Sequence, residues 1–311
     1  MGRGGGKRRG RPIHGWLAIH KERGMTSTRV VERVRQVTQA AKAGHGGTLD
    51  PFSEGLLPVA LGEATKTLVH VLEGEKSYRC WVSFGSETDT CDPTGRVIQE
   101  GGTIPEPAAI EQALGRFVGE IEQVPPVFSA IHVDGERAYE KARRGEIFEL
   151  EPRKIIIHDI RLEQMDGPIA CIAVRSGKGA YMRALARDLG RFLGCPAHLD
   201  RLLRTRTLGF SLEEGVTLER LEALVAERRF EEVLFPMDRV LDDIPALRLR
   251  VDAWHKVKNG QAVWLDAEGF ESGTVRLLNP EGRFAALGEL AGGTASDSRR
   301  LCKLRRLFHQ A

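Results

Sequence analysis

Segments with a two-residue apolar period and segments with a helical period follow one another along this chain without strict alternation. That order is the strongest constraint on the fold. A doubly wound sheet needs strand and helix to alternate, whereas separate runs of each fit an α+β architecture. Gly15 to His20 reads as a short apolar strand, and Thr26 to Ala40 as a helix with Val30, Val31, Val34 and Val37 on one face. Lys76 to Gly85 alternates as a strand that points Tyr78 and Cys80 to one side. Further helices are expected at Glu63 to Leu72, Pro107 to Val118, Ala138 to Arg144 and Leu218 to Arg228, and strands at Arg153 to Glu163 and Ala170 to Ser176. Beyond residue 240, short apolar runs broken by glycines predict a compact all-β module of about 70 residues.

Composition narrows the class. With 311 residues, of which 41% are hydrophobic, the chain can build a proper core for one large domain and a small one. No apolar run approaches the roughly 20 residues needed to span a bilayer, so a soluble, cytoplasmic monomer without membrane association is expected. The five cysteines are odd in number and lack any Cys-x-x-Cys pair, which indicates neither a disulfide framework nor a zinc site. Residues 1–12 form a glycine-rich tail carrying Arg3, Lys7, Arg8, Arg9 and Arg11 without an acid. Such an arm is expected to be disordered and suits nucleic-acid phosphates. A second basic cluster, Arg299, Arg300, Lys303, Arg305 and Arg306, is interleaved with Leu301, Leu304 and Leu307, as in a closing strand with a cationic face.

Two loops can carry chemistry. In Gly44 to Leu57, Asp50 stands on a turn between a glycine-rich approach and Pro51. Glycines permit close backbone approach and proline fixes the direction that follows, so the carboxylate is rigidly aimed. The same pair also fits a helix cap with proline at the first helical position. In Ser176 to Arg183, a glycine turn opens a helix whose apolar stripe is Met182, Leu185, Ala186, Leu189 and Leu193. This is no Walker A loop, since Ile172 stands where the first glycine belongs and Gly179 where Ser or Thr must hold magnesium. Arg183, Arg187 and Arg191 share another face, which amphipathic helices usually expose to water. An aspartate-nucleophile phosphatase is excluded, because its second acid two positions on is here Phe52.

Several motifs, in order, resemble the TruB family of tRNA pseudouridine synthases. They are Lys21-Glu22-Arg23-Gly24-Met25-Thr26-Ser27 (with Glu22 where the family has proline), His45 with Gly47-Thr48-Leu49-Asp50-Pro51 and Gly55-Leu56-Leu57, Gly62-Glu63-Ala64-Thr65-Lys66, Lys76-Ser77-Tyr78-Arg79, Thr88-Asp89-Thr90-Cys91-Asp92, and Lys178-Gly179-Ala180-Tyr181-Met182-Arg183. They cover residues 15 to about 210. The resemblance implies an α+β catalytic domain over 13–238, with a mixed, largely antiparallel sheet and flanking helices, and a small β-rich PUA-like RNA-binding domain over 239–311.

The resemblance also implies a reaction: isomerisation of uridine 55 in the T loop of tRNA, by flipping the base and moving its glycosidic bond from N1 to C5, with no cofactor and no metal. Asp50 is the implied essential carboxylate, Arg183 its counter-charge, and Tyr78 the ring that stacks on the base. His45 is expected to fill the gap left by the flipped nucleotide. Lys21, Lys66, Arg204 and Arg206 are candidates for phosphate contacts, which position RNA without reading sequence. Asp92, Tyr181 and Leu202 complete the expected substrate contacts. A tRNA-folding role through the same surface is the alternative from another class.

Overall fold

The computed structural model describes residues 10–71, 74–129, 131–133, 135–146, 148–292 and 298–308. The larger sheet contains β1 (Gly15–Lys21), β2 (Ala43–His45), β3 (Glu54–Leu61), β4 (Lys76–Phe84), β5 (Gly119–Gln123), β6 (Arg153–Asp166), β7 (Ile169–Ser176), β8 (Ala197–Thr207) and β9 (Phe210–Ser211). Its order is β1-β3-β8-β4-β7-β6-β5, with β2 added to β3 and β9 to β8. All pairs are antiparallel except β8 with β3. That parallel pair sets Arg204 beside Gly55, while the antiparallel pairing of β8 with β4 sets Arg204 directly opposite Tyr78. The mixed sheet and its flanking helices are the expected α+β class.

Helix α1 (Ser27–Thr38) starts where Thr26 accepts a hydrogen bond from Arg29 N at 3.2 Å, and ends at Gln39 in the left-handed region. Val30 and Val34 are fully buried, and Val31 and Val37 pack against the same cluster with Leu17 and Ile19 of β1. Helices α2 (Pro107–Leu114), α3 (Met182–Phe192) and α4 (Leu218–Ala226) follow at the expected places. Glu63 to Leu72 departs from expectation. It forms a 3-10 turn over Gly62–Lys66 and one short helical turn over Leu68–Val71, and Leu72 lies outside the described residues.

The smaller sheet runs β10-β12-β13-β14-β11, built from β10 (Ala246–Arg248), β11 (Val263–Asp266), β12 (Gly273–Leu278), β13 (Phe284–Leu290) and β14 (Arg299–Leu307). The module is not all-β, because α5 (Val251–Lys258) packs Ala253 and Val257 into its core. Strand alternation also divides the basic cluster on β14. Arg299, Lys303, Arg305 and, past a register irregularity, Arg306 face solvent, whereas Arg300 turns inward and donates to Phe270 O at 2.5 Å and Ala291 O at 2.9 Å. The two sheets share a hydrophobic cluster in which Phe284, Leu287 and Phe308 meet Trp16, Leu56 and Met237.

At the other terminus, residues 1–9 of the basic tail lie outside the described residues. Its last residues are pinned. Arg11 N donates to Gln39 O at 2.7 Å and Ala41 N to Arg11 O at 3.0 Å, so ordered chain begins before residue 13. Among the described residues, no helix is long and apolar enough to cross a membrane.

Candidate active site

Asp50 is not a helix cap. Pro51 and Phe52 form a turn, closed by Ser53 N donating to Asp50 O at 3.1 Å, and the chain then enters β3. Pro58 explains this in part, because a helix begun at Pro51 would meet a second proline two turns on. The loop is held from both sides of Asp50. Leu49 packs with Leu17, Val30 and Val34, while Phe52 packs with Tyr78 and Met182 in a different cluster. Ser27 binds Leu49 twice, donating to its carbonyl at 3.0 Å and accepting from its amide at 2.9 Å. Gly24 N donates to Pro51 O at 2.7 Å.

The Asp50 side chain keeps 35% of its surface exposed and meets Arg183 Nε across 2.9 Å. The guanidinium itself is buried and fixed on its other edges. Arg183 Nη1 donates to Thr90 O at 3.1 Å and lies 3.4 Å from Asp92 Oδ2, and Nη2 donates to Phe128 O at 2.9 Å. The sequence expectation of a solvated arginine face on α3 is therefore overturned in a graded way. Arg183 and Arg187 are 5% and 8% exposed, because segments 90–92 and 124–128 cover this face and offer carbonyls, whereas Arg191 stays open to solvent while pairing with buried Glu87. Burial pushes the Asp50 carboxyl above the usual carboxylate range, Arg183 opposes that shift, and the nearby Asp92 charge adds to it.

Two expected phosphate contacts, Lys21 and Arg204, belong instead to the frame of the site. Lys21 is fully buried and donates to the carbonyls of Glu22, Met25, Pro51 and Ser53 at 3.0, 2.8, 3.4 and 2.5 Å, so it clamps the Asp50 turn and cannot reach a phosphate. Burial pushes its ammonium down to about 8, against the charges of Asp50 and Glu54. Arg204, 1% exposed, donates from Nε to Leu56 O at 2.8 Å, from Nη2 to Gly47 O at 3.0 Å and from Nη1 to Thr48 O at 3.4 Å. Its place opposite Tyr78 turns it inward, where no RNA backbone can approach. Leu202 lies opposite Cys80 on the same two strands, in the same hydrophobic cluster as Tyr78 and about as little exposed.

The remaining candidates surround this frame. Tyr78 is buried, with its hydroxyl against Arg204; burial raises its pKa, Arg204 opposes, and the charges of Cys80 and Asp50 add to the rise. His45 ends β2, half-buried, and burial followed by the Arg204 charge lowers its pKa, which favours the neutral ring. Tyr181 stands just before α3, its amide donating to Gln123 Oε1 at 2.8 Å and its carbonyl accepting from Gln123 Nε2 at 3.1 Å. Asp92 sits behind Arg183, accepting from Thr90 Oγ1, Thr94 N and Thr94 Oγ1 at 2.8, 2.9 and 2.6 Å. Lys66 pairs with Glu63 at 2.5 Å and lies over the Phe308 ring, while Arg206 is exposed. Gln123 and the Phe128 carbonyl carry no motif that sequence reasoning could have used.

Sequence profiles agree with this geometry. The profile described as TruB family pseudouridylate synthase (N terminal domain) matches residues 35–182, that of the tRNA pseudouridylate synthase B C-terminal domain 183–242, and that of pseudouridine synthase II TruB, C-terminal, 245–301. The chain belongs to the TruB family. The tRNA pseudouridine synthase B of Rhodospirillum rubrum is 44% identical and covers 92% of this chain and 96% of its own. That of a Ruegeria species is 41% identical, covering 95% and 98%. Among solved folds, a Cbf5-Nop10-Gar1 complex aligns with a TM-score of 0.74 at 25% identity, covering 95% of this chain and 85% of that one. In this TruB-family chain the first profile ends at Met182, so the Asp50–Arg183 pair joins two separately matched segments.

Proposed function

We propose that this protein isomerises uridine 55 in the T loop of tRNA to pseudouridine, with Asp50 as the essential carboxylate. The observation that carries this reading is the Asp50–Arg183 contact at 2.9 Å, in which a carboxylate open to a ligand is backed by a buried cation anchored through Nη1 and Nη2. The reaction detaches C1′ of the ribose from N1 of the base, turns the base and joins C1′ to C5, releasing the C5 proton while N1 takes one up. A carboxylate at C1′ and C6 serves it as nucleophile or as stabiliser of the cationic sugar. Arg183 opposes the protonation that burial favours, keeping more of Asp50 ionised when the base excludes water.

Tyr78, directly opposite Arg204 on the neighbouring strand, supplies the flat wall on which the flipped base stacks. A neutral His45 ring suits the space vacated in the T loop, since an uncharged ring stacks without bringing a cation into the base stack. Flipping costs a few kcal/mol, which contacts elsewhere on the tRNA arm must offset. The exposed Arg299, Lys303 and Arg305 of the smaller module, together with Arg206, are the cations this reading assigns to phosphates.

Release of tritium from tRNA labelled at uridine C5 tests the proposal. Wild type is expected to release label from position 55, and Asp50→Asn to release it at least about 10³-fold more slowly while still binding tRNA. No release by wild type, or an undiminished rate in Asp50→Asn, refutes the reading.

A further inference from the structure

Among the buried cations of the site, Arg204 and Lys21 differ from Arg183. Buried charges are normally met by an opposite charge. Arg183 has Asp50 and Asp92, whereas among the described residues no carboxylate lies within ion-pair distance of Arg204. Its donors go to three backbone carbonyls, two of them in the Gly47-Thr48 approach to Asp50. The parallel and antiparallel pairings of β8 converge here, because Arg204 is the register partner of Gly55 on one side and Tyr78 on the other.

We infer that Arg204 is a positioning residue that couples Tyr78 to the Asp50 loop: one buried guanidinium fixes the carbonyls of Gly47 and Thr48 and stands directly opposite Tyr78 across the β8–β4 pairing. The groups facing Tyr78 sort accordingly. Cys80 from its own strand and Asp50 from the loop disfavour a phenolate, and Arg204 from β8 opposes them. The same guanidinium disfavours charge on His45 and Lys21. A single buried cation thus bears on Tyr78, His45 and the turn clamp together. The catalytic consequence of this coupling rests on the functional reading above, whereas the coupling itself does not.

Placing 3,5-difluorotyrosine at position 78, whose phenol ionises nearer neutrality, lets ¹⁹F NMR follow its titration in the full-length protein. Arg204→Gln is expected to move the midpoint upward by about 1 to 3 pH units, and Arg204→Lys, which keeps the charge but not the fork, by less. With the natural tyrosine, kcat for tritium release is expected to fall about 10²-fold in Arg204→Gln, and less in Arg204→Lys, with KM for tRNA unchanged. An unmoved midpoint in Arg204→Gln, or a raised KM with kcat intact, overturns the inference. Should Arg204→Gln fail to fold, Arg204→Lys decides: a midpoint and kcat both equal to wild type overturn it. If wild type releases no tritium, the functional reading fails, while the midpoints still decide the coupling.

Discussion

Lys21, Arg183 and Arg204 are all buried within the shell around Asp50; Lys21 and Arg204 spend their donors on backbone carbonyls, and Arg183 divides its own between two carbonyls and two carboxylates. A carbonyl lends no full counter-charge, so the site carries a positive frame around its single open carboxylate. Two pH dependences follow. Asp50 must be ionised to act, and its pKa is raised, so kcat is expected to fall with decreasing pH along a limb that lies above the range of an ordinary aspartate. A limb at or below the ordinary range, measured by tritium release, contradicts this. Lys21 has its pKa lowered to about 8, below its unfolded value of 10.5. Between those values the unfolded chain binds more protons than the native one, so this group raises stability as pH rises through the window and adds no slope below it. Urea unfolding at several pH values is expected to show that gain, and Lys21→Met to lose it while being less stable by about 2 to 4 kcal/mol at neutral pH, its four carbonyl acceptors left without the donor.

Among the elements, β3 and β8 set the site, and their close approach depends on Gly55. Its φ is +105°, and an added Cβ would lie 2.4 Å from Arg204 O and 2.8 Å from Arg204 N. Gly55→Ala is therefore expected to cost about 3 kcal/mol or more, since the paired backbone at Arg204 cannot yield. Gly24→Ala makes the control: φ is +89° but nothing lies within 4 Å, so only the local strain of about 1 kcal/mol applies. Equal losses in denaturant unfolding would show that the strand contact is not what Gly55 protects. These elements also mark where the sequence could be read. Alternation in β4 placed Tyr78 inward, and valine spacing placed the buried face of α1, because those patterns express burial residue by residue. Asp50 with Arg183 was legible only through motif order, since no periodicity links positions so far apart. The burial of Lys21 and Arg204 was illegible because their partners are main-chain oxygens, which leave no trace in side-chain identity.

The sequence separates a catalytic region from a small module near residue 240, yet the packing runs through that point. Trp16 of β1 donates from Nε1 to Met237 O at 3.2 Å, and the cluster around it takes Phe284, Leu287 and Phe308 from the smaller module. Arg276 of β12 ties down the connection as well, approaching Asp238 Oδ2 at 3.2 Å and Asp242 Oδ1 at 3.3 Å and donating to Ile244 O at 2.7 Å. A shared core of large aromatic side chains makes neither part independent of the other, because unfolding one exposes the apolar face of its neighbour. The expected behaviour is one cooperative transition, with Trp16 and Trp264 as reporters in the larger and smaller parts, each observed after the other tryptophans are replaced by Phe. Phe308→Ala removes a ring that is 3% exposed and packed, tilted, with its centroid 4.7 Å from that of Phe284, and is expected to cost about 3 to 5 kcal/mol. That loss should lower both reporters' midpoints together. Separate midpoints in the parent, or a fall in the Trp264 signal alone, would mean that the modules fold independently and that the Trp16 cluster is a contact without coupling.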